Sequence, residues 1–128
     1  MARPPAACAV AVWLLAAAAV PRAHHSFAAE FDARRPVTLD GVIAVVEWVN
    51  PHSMLWIDVR GASGAVDRWG LELPPPNGLL RRGVRRAMLR PGDRVRVRAY
   101  PARDGRRVAS VQSFTLASGL RVTLGPLD

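Results

Sequence analysis

Apolar and polar side chains alternate along several short stretches of this chain, which is the pattern of β-strands with one buried face. Two of these stretches, residues 54–59 and 66–73, assign their side chains to two faces. The apolar faces carry Leu55, Ile57, Val59, Trp69, Leu71 and Leu73. The opposite faces carry Met54, Trp56, Asp58, Arg68, Gly70 and Glu72. The predicted strands cover residues 37–49, 54–59, 66–73, 95–99, 107–116 and 120–124.

A short helix is predicted between the third and fourth strands. Pro74-Pro75-Pro76 ends the third strand, and Asn77 is a suitable N-cap for a helix over residues 78–89. Leu80, Val84 and Met88 form its apolar stripe at helical spacing, with arginines on the other side.

The order of these elements predicts the fold class. Three strands, a short helix and two or three further strands match a small five- to six-stranded barrel of the OB type. Gly41 lies inside the long first strand, where barrel strands commonly bend. A small β-sandwich is the alternative.

The N-terminus predicts export. Residues 6–20 form an apolar run of 15 residues, too short to span about 30 Å of hydrocarbon as a helix. Arg3 gives a positive start and Ala23 a small residue at the cleavage position, whereas Pro21 favours competing cuts after Ala18 or Ala19. A retained membrane anchor is the alternative. The predicted divisions are a signal peptide (1–23), a lead-in (24–35) and one OB-like domain (36–128).

Composition narrows the chemistry of the mature chain. Removal of 23 residues from 128 leaves 105, enough for one small core. The single cysteine, Cys8, lies in the leader, which excludes disulfides and thiolate sites from the mature protein. With Arg3 and Arg22 removed, 16 arginines face 10 acidic residues, a net charge of +6, and lysine is absent. GC-rich codon usage explains the arginine bias, although arginine also binds carboxylates and phosphates well.

Histidine placement suggests a metal site. His24 and His25 directly follow the predicted cleavage position, and His52 is the third histidine. Cleavage after Ala23 gives His24 a free α-amine beside its imidazole, and a second imidazole from His52 or His25 completes a nitrogen-rich set of the kind Cu(II) favours. The nearby carboxylates Glu30 and Asp32 are candidates to ligate the ion or orient a ring. The simpler explanation is a solvated terminal histidine pair and a turn residue.

Arginine clustering suggests a second kind of site. A basic face for an anionic ligand, glycan or protein partner is predicted from Arg81, Arg82, Arg85, Arg86, Arg90, Arg94, Arg96 and Arg98. Trp48, Trp56 and Tyr100 are candidate stacking platforms of the kind OB barrels use. A solvated arginine face is the simpler explanation, and export argues against nucleic acid as the partner.

Catalytic patterns are weak. Ser26 and Ser53 each neighbour a histidine, but sequence adjacency does not make a catalytic triad, and the chain has no nucleophile-elbow motif, phosphate loop or HxxxH spacing. The sequence therefore favours a binding protein over an enzyme.

Several short motifs occur together in a characteristic order. They are His24-His25-Ser26-Phe27, Glu30-Phe31-Asp32, Gly41-Val42, Asn50-Pro51-His52, Trp69-Gly70-Leu71-Glu72 and Leu89-Arg90-Pro91-Gly92-Asp93. With these motifs the chain resembles a family of short exported bacterial proteins known as domain-of-unknown-function family 6152. The resemblance implies export and an OB-like barrel, and brings no activity, substrate or site residue. Together these observations predict a periplasmic or secreted protein without a membrane span in its mature form. It is predicted to be a binding protein and not an enzyme. Its predicted ligand is copper or, alternatively, an anionic ligand.

Overall fold

A computed structural model describes residues 26–125 of the chain. The predicted signal peptide, His24 and His25 lie outside the described residues. The elements are α1 (Phe27–Glu30), β1 (Val37–Glu47), β2 (Ser53–Arg60), β3 (Val66–Leu73), α2 (Pro76–Arg81), a 3₁₀ turn (Arg86–Met88), β4 (Arg94–Pro101), β5 (Val108–Leu116) and β6 (Arg121–Thr123). Within residues 26–125, no helix is both long and apolar enough to cross a membrane.

The strands close into a barrel. They pair in the order β3-β2-β1-β4-β5, and a parallel pairing of β3 with β5 joins the two ends. The short β6 adds to β5 outside this ring. Five strands closed in this order, with a helix between β3 and β4, form the OB arrangement that the sequence predicts. The β-sandwich alternative is wrong, because all the strands belong to one continuous sheet.

The long first strand bends so that it can pair with both β2 and β4. Its register against β2 shifts between Ile43 and Val45, which marks a bulge. Gly41 lies just before the bulge, where an added Cβ would stand 2.8 Å from the carbonyl oxygen of Asp58. Only glycine lets β1 and β2 approach this closely.

The core fills the inside of the barrel and follows the predicted alternation. On β2 and β3 the inward Leu55, Ile57, Leu71 and Leu73 are fully buried. The outward residues of the same strands are partly or fully exposed, apart from the buried Gly70. The two faces predicted for these strands are thus confirmed, and each outward side chain has a defined position on the barrel surface.

The helix between β3 and β4 is shorter than residues 78–89. Gly83 has a φ of 77°, and the amides of Gly83 and Val84 donate to the carbonyls of Leu80 and Leu79, at 2.9 and 3.0 Å. This is a Schellman ending, in which the buried Leu79 and Val84 supply the apolar contact. The predicted stripe is wrong at Leu80, which is 50% exposed, and the N-cap is Pro75 rather than Asn77.

The lead-in packs onto the barrel through aromatic rings. The ring of Phe27 lies 5.6 Å from that of Phe31 and 5.4 Å, edge-on, from that of Tyr100. The backbone amide of Asp32 donates to the carbonyl of Pro101, and that of Arg103 to the carbonyl of Glu30, both at 2.9 Å. Helix α1 is therefore fixed against the end of β4 and the β4–β5 loop.

Candidate functional site

An imidazole–carboxylate pair lies on the outer face of β2 and β3. Nδ1 of His52 contacts Oε1 of Glu72, and the two side chains are 42% and 17% exposed. Glu72 faces outward because its neighbours Leu71 and Leu73 fill the core. A carboxylate bound to Nδ1 orients the ring and leaves Nε2 as the nitrogen through which His52 can hold a ligand.

The local chain path explains how His52 reaches Glu72. The amide of Ser53 donates to the carbonyl of Pro74 at 3.4 Å, and the Ser53 hydroxyl to the carbonyl of Val49 at 3.4 Å. These bonds fasten the start of β2 to the end of β3 and to the β1–β2 loop. His52 comes directly before this anchor, so its side chain lies beside the last outward residue of β3.

Met54 and Trp56 continue the same face next to the pair. A Cβ added to Gly70 would stand 2.8 Å from Cζ3 of Trp56, 3.0 Å from its Cη2 and 3.3 Å from Cε of Met54. The indole therefore extends across β3 into the space that Gly70 leaves, with the methionine methyl beside it. Met54 is also directly opposite Glu72 in the β2–β3 register.

One row of outward residues connects this cluster to the N-terminal lead-in. Tyr100 pairs with Ser110, Ser110 with Glu72, and Glu72 with Met54 across four neighbouring strands. Phe27 packs on Tyr100 at one end of the row. Phe27, the last residue of the His-His-Ser-Phe motif, thus packs two strands away from Glu72. Ser110 is fully buried within the row, and its hydroxyl has no hydrogen-bond partner among residues 26–125.

The carboxylates predicted to accompany the histidines have other partners. Asp32 lies 3.8 Å from Nε of Arg35 and 3.9 Å from a guanidinium nitrogen of Arg103. Glu30 lies 3.6 Å from a guanidinium nitrogen of Arg106. Glu72 is instead the carboxylate that orients His52. The signal for it was available, since Asn50-Pro51-His52 and Glu72 both belong to the motifs of the resemblance.

The arginines predicted to form one basic face lie in two parts of the fold, on α2 with the turns after it and on β4. Arg81, Arg82, Arg85 and Arg86 are exposed on α2 and the turns after it. Arg82 donates to the carbonyls of Gly78 and Leu124, at 3.0 and 3.4 Å. Arg90 pairs with Asp93 at 3.1 Å.

The outward arginines of β4 are Arg94, Arg96 and Arg98. Arg96 forms two hydrogen bonds to Asp40, at 2.6 and 3.2 Å, which raise the pKa of its guanidinium. Arg98 donates to the side chain of Gln112 at 2.7 Å. Arg94 forms no ion pair within the part of the chain that is described. Arg94 and Arg98 therefore both keep a charge that no acidic side chain of the described residues neutralises.

An open groove of about 550 Å³ lies beside Arg94 on the outer surface. Its lining consists of Asp40, Gly41, Val42, Asp58, Arg60, Arg94, Val95, Arg96, Thr115, Leu116 and Ala117. Hydrogen bonds from Arg68 lower the pKa of Asp58, and Arg96 pairs with Asp40. Both carboxylates are thus neutralised by arginines, which leaves Arg60 and Arg94 as the unmatched charges of the groove.

Among residues 26–125, no group of three histidine, cysteine, aspartate or glutamate side chains is arranged to hold a metal ion. His52 and Glu72 supply two such side chains, and the thioether of Met54 is the next donor on this face. A complete metal site on this face therefore needs a donor beyond the carboxylates and imidazole of the described residues.

Comparison with known proteins gives one match. The model of a family of unknown function (DUF6152) matches residues 10–111 of the chain. No curated protein and no solved structure matches.

Proposed function

Because this chain belongs to DUF6152, a family of unknown function, its role has to be argued from its own residues, and we propose that it is an exported, non-enzymatic protein that binds copper. The observation that carries the proposal is the His52–Glu72 pair on the outer β2–β3 face. A histidine that binds a metal through one ring nitrogen usually donates the other to a carboxylate or carbonyl, which holds the ring in place. OB barrels also use this face for their ligands.

The N-terminal histidines supply the missing donors. His24 precedes Phe27 by three residues, and three residues of extended chain span about 10 Å. Phe27 packs on Tyr100, which lies two strands from Glu72, again about 10 Å. In the proposed site the α-amine and imidazole of His24 join Nε2 of His52 around one Cu(II) ion. His25 is the alternative imidazole.

Cu(II) titration of the exported protein tests this proposal. The chain is purified from a bacterial periplasm, and mass spectrometry determines its first residue, which we expect to be His24. We expect one tight Cu(II) site by calorimetry and electron paramagnetic resonance, abolished by His24→Ala and by acetylation of the N-terminus. Glu72→Gln should weaken affinity by about 10–100-fold, because it removes the carboxylate that orients His52.

Glu47→Gln is the matched control. Glu47 is also opposite Met54, on the β1 side, and is exposed, so its substitution removes the same charge from the same face without touching His52. Equal loss of Cu(II) affinity in Glu72→Gln and Glu47→Gln would mean that the loss comes from the removed negative charge and not from the orientation of His52. Binding no tighter than that of the acetylated protein would refute the copper site.

A second candidate function rests on the groove beside Arg94. The groove contains two arginines without an acidic partner, Arg60 and Arg94, and the apolar side chain of Val42. This combination suits an anionic ligand that also has an apolar part. Under this second hypothesis the protein binds an anionic small molecule, glycan or protein segment.

A further inference from the structure

Met54 and Trp56 are two large side chains of low polarity placed on the outside of the barrel. Met88, Trp48 and Trp69 pack against the hydrophobic core, whereas Met54 and Trp56 lie on the opposite face of β2 and are only partly buried. Both side chains border the space above Gly70, on the side of the sheet away from the core. The core therefore does not account for the methionine and tryptophan at these two positions.

The chemistry of these side chains is that of a site for a soft monovalent ion. A thioether sulfur selects Cu(I) over harder ions, and imidazole is also a common ligand of copper. The face of an indole attracts a cation within about 6 Å of the ring centroid, more strongly than any other aromatic ring. Met54 and Trp56 carry two of these groups at alternate positions of β2, where successive outward residues are about 7 Å apart, and His52 lies in the loop directly before the strand begins.

Glu72 is next to two of these groups, and Met54 is next to the third. It contacts Nδ1 of His52 and lies directly opposite Met54, whose methyl in turn borders the space occupied by the Trp56 ring. Side chains at directly opposed positions have Cβ atoms about 5 Å apart. The side chains of His52 and Met54, which carry Nε2 and Sδ, are therefore both neighbours of Glu72.

We propose that this face binds Cu(I), with Nε2 of His52 and Sδ of Met54 as ligands and the indole of Trp56 against the ion. The inference rests on the proposed copper function and specifies the oxidation state that the described residues favour. Cu(II) takes the nitrogen donors of His24 together with His52, and Cu(I) takes His52 together with Met54. The imidazole of His52 is common to both.

Ag(I) is the probe, because it has the charge and softness of Cu(I) and does not change oxidation state in air. The mature protein is titrated with Ag(I) in chloride-free buffer while tryptophan fluorescence is followed. We expect one Ag(I) per chain with quenching of the fluorescence. Met54→Leu, which keeps the side-chain volume, should weaken Ag(I) binding by at least about 10-fold and leave Cu(II) binding unchanged. Trp56→Phe should remove most of the quenching.

Met88→Leu is the matched control, because Met88 is the other methionine of the mature chain and packs against the core. Ag(I) binding of equal strength in Met54→Leu and Met88→Leu would overturn the inference while leaving the Cu(II) proposal to its own test. Retention of Met54-dependent Ag(I) binding with no Cu(II) binding would support the soft site and refute the amine site. Absence of both would overturn both proposals.

Discussion

At the scale of single residues, two glycines shape the strands that carry the site. Gly41 lets β1 approach the backbone of β2, and Gly70 leaves room for the indole of Trp56 on the outer face. At Gly41 the nearest atom to an added Cβ is a backbone oxygen, which cannot rotate away. At Gly70 the nearest atoms belong to a side chain, which can. Substitution should therefore affect stability at Gly41 and the position of Trp56 at Gly70.

Gly41→Ala is expected to lower the free energy of unfolding by about 1–3 kcal/mol, the usual range for overpacking in a well-packed region. The new methyl would stand 2.8 Å from the carbonyl oxygen of Asp58 and 3.1 Å from Cδ1 of Ile57. Urea unfolding followed by tryptophan fluorescence measures the change. Gly61→Ala is the control, because its nearest contact is 3.6 Å away, and it should shift stability by less than about 1 kcal/mol. Similar losses in both variants would contradict the close-approach explanation.

At the scale of elements, the helix and the lead-in show how neighbouring structure defines a segment. A periodic pattern over residues 78–89 predicts a continuous helix, but Gly83 ends it because its left-handed conformation returns Val84 to the carbonyl of Leu79. The lead-in has no strong pattern of its own. It is ordered by the contacts of Phe27 and Phe31 with Tyr100 and the β4–β5 loop.

Phe27→Ala should loosen the lead-in without unfolding the barrel. An aromatic pair contributes about 0.5–1.5 kcal/mol beyond its buried area, and Phe27 takes part in two such pairs. Hydrogen exchange should accelerate at the amides of Asp32 and Arg103, which bond across the contact. Exchange in the core strands should not change. Val66→Ala, at an exposed apolar residue of β3, is the control and should leave Asp32 and Arg103 protected.

At the scale of the whole molecule, the arginine excess is only partly free to attract a partner. Arg68, Arg96 and Arg106 pair with Asp58, Asp40 and Asp104, and each pairing raises the pKa of the arginine. Exposed pairs of this kind contribute little to stability. They do reduce the positive electrostatic potential around each paired arginine. The potential that could attract an anionic partner therefore depends on where the unpaired arginines lie.

Retention on heparin distinguishes the groove from general charge. The double variants Arg60→Ala/Arg94→Ala and Arg85→Ala/Arg86→Ala each remove two positive charges, so both should elute at equal salt if only net charge matters. If the groove binds anions, we expect the Arg60/Arg94 double variant to elute at clearly lower salt than the Arg85/Arg86 double variant. The opposite order would place the anion site on the helix side instead.

The sequence by itself determined the strands, their two faces and the OB order. These follow from local rules, because side-chain direction has a period of two along a strand and the order of elements is written in the chain. The inward residues of β2 and β3 were predictable one by one. The metal hypothesis at His24, His25 and His52 also came from sequence, as did the basic-face alternative, and both stay predictions.

Only the tertiary structure decided which distant residues meet. His52 and Glu72 are separated by 20 positions, and their contact depends on the register of β2 against β3. Trp56 lies over Gly70 for the same reason, whereas Phe27 meets Tyr100 because α1 packs against the end of β4. Register is fixed by the packing of the whole barrel, since a slip of one residue would turn every inward side chain outward. The pattern of the chain therefore specifies the faces, and the pairing of β2 with β3 brings His52 against Glu72 on one of them.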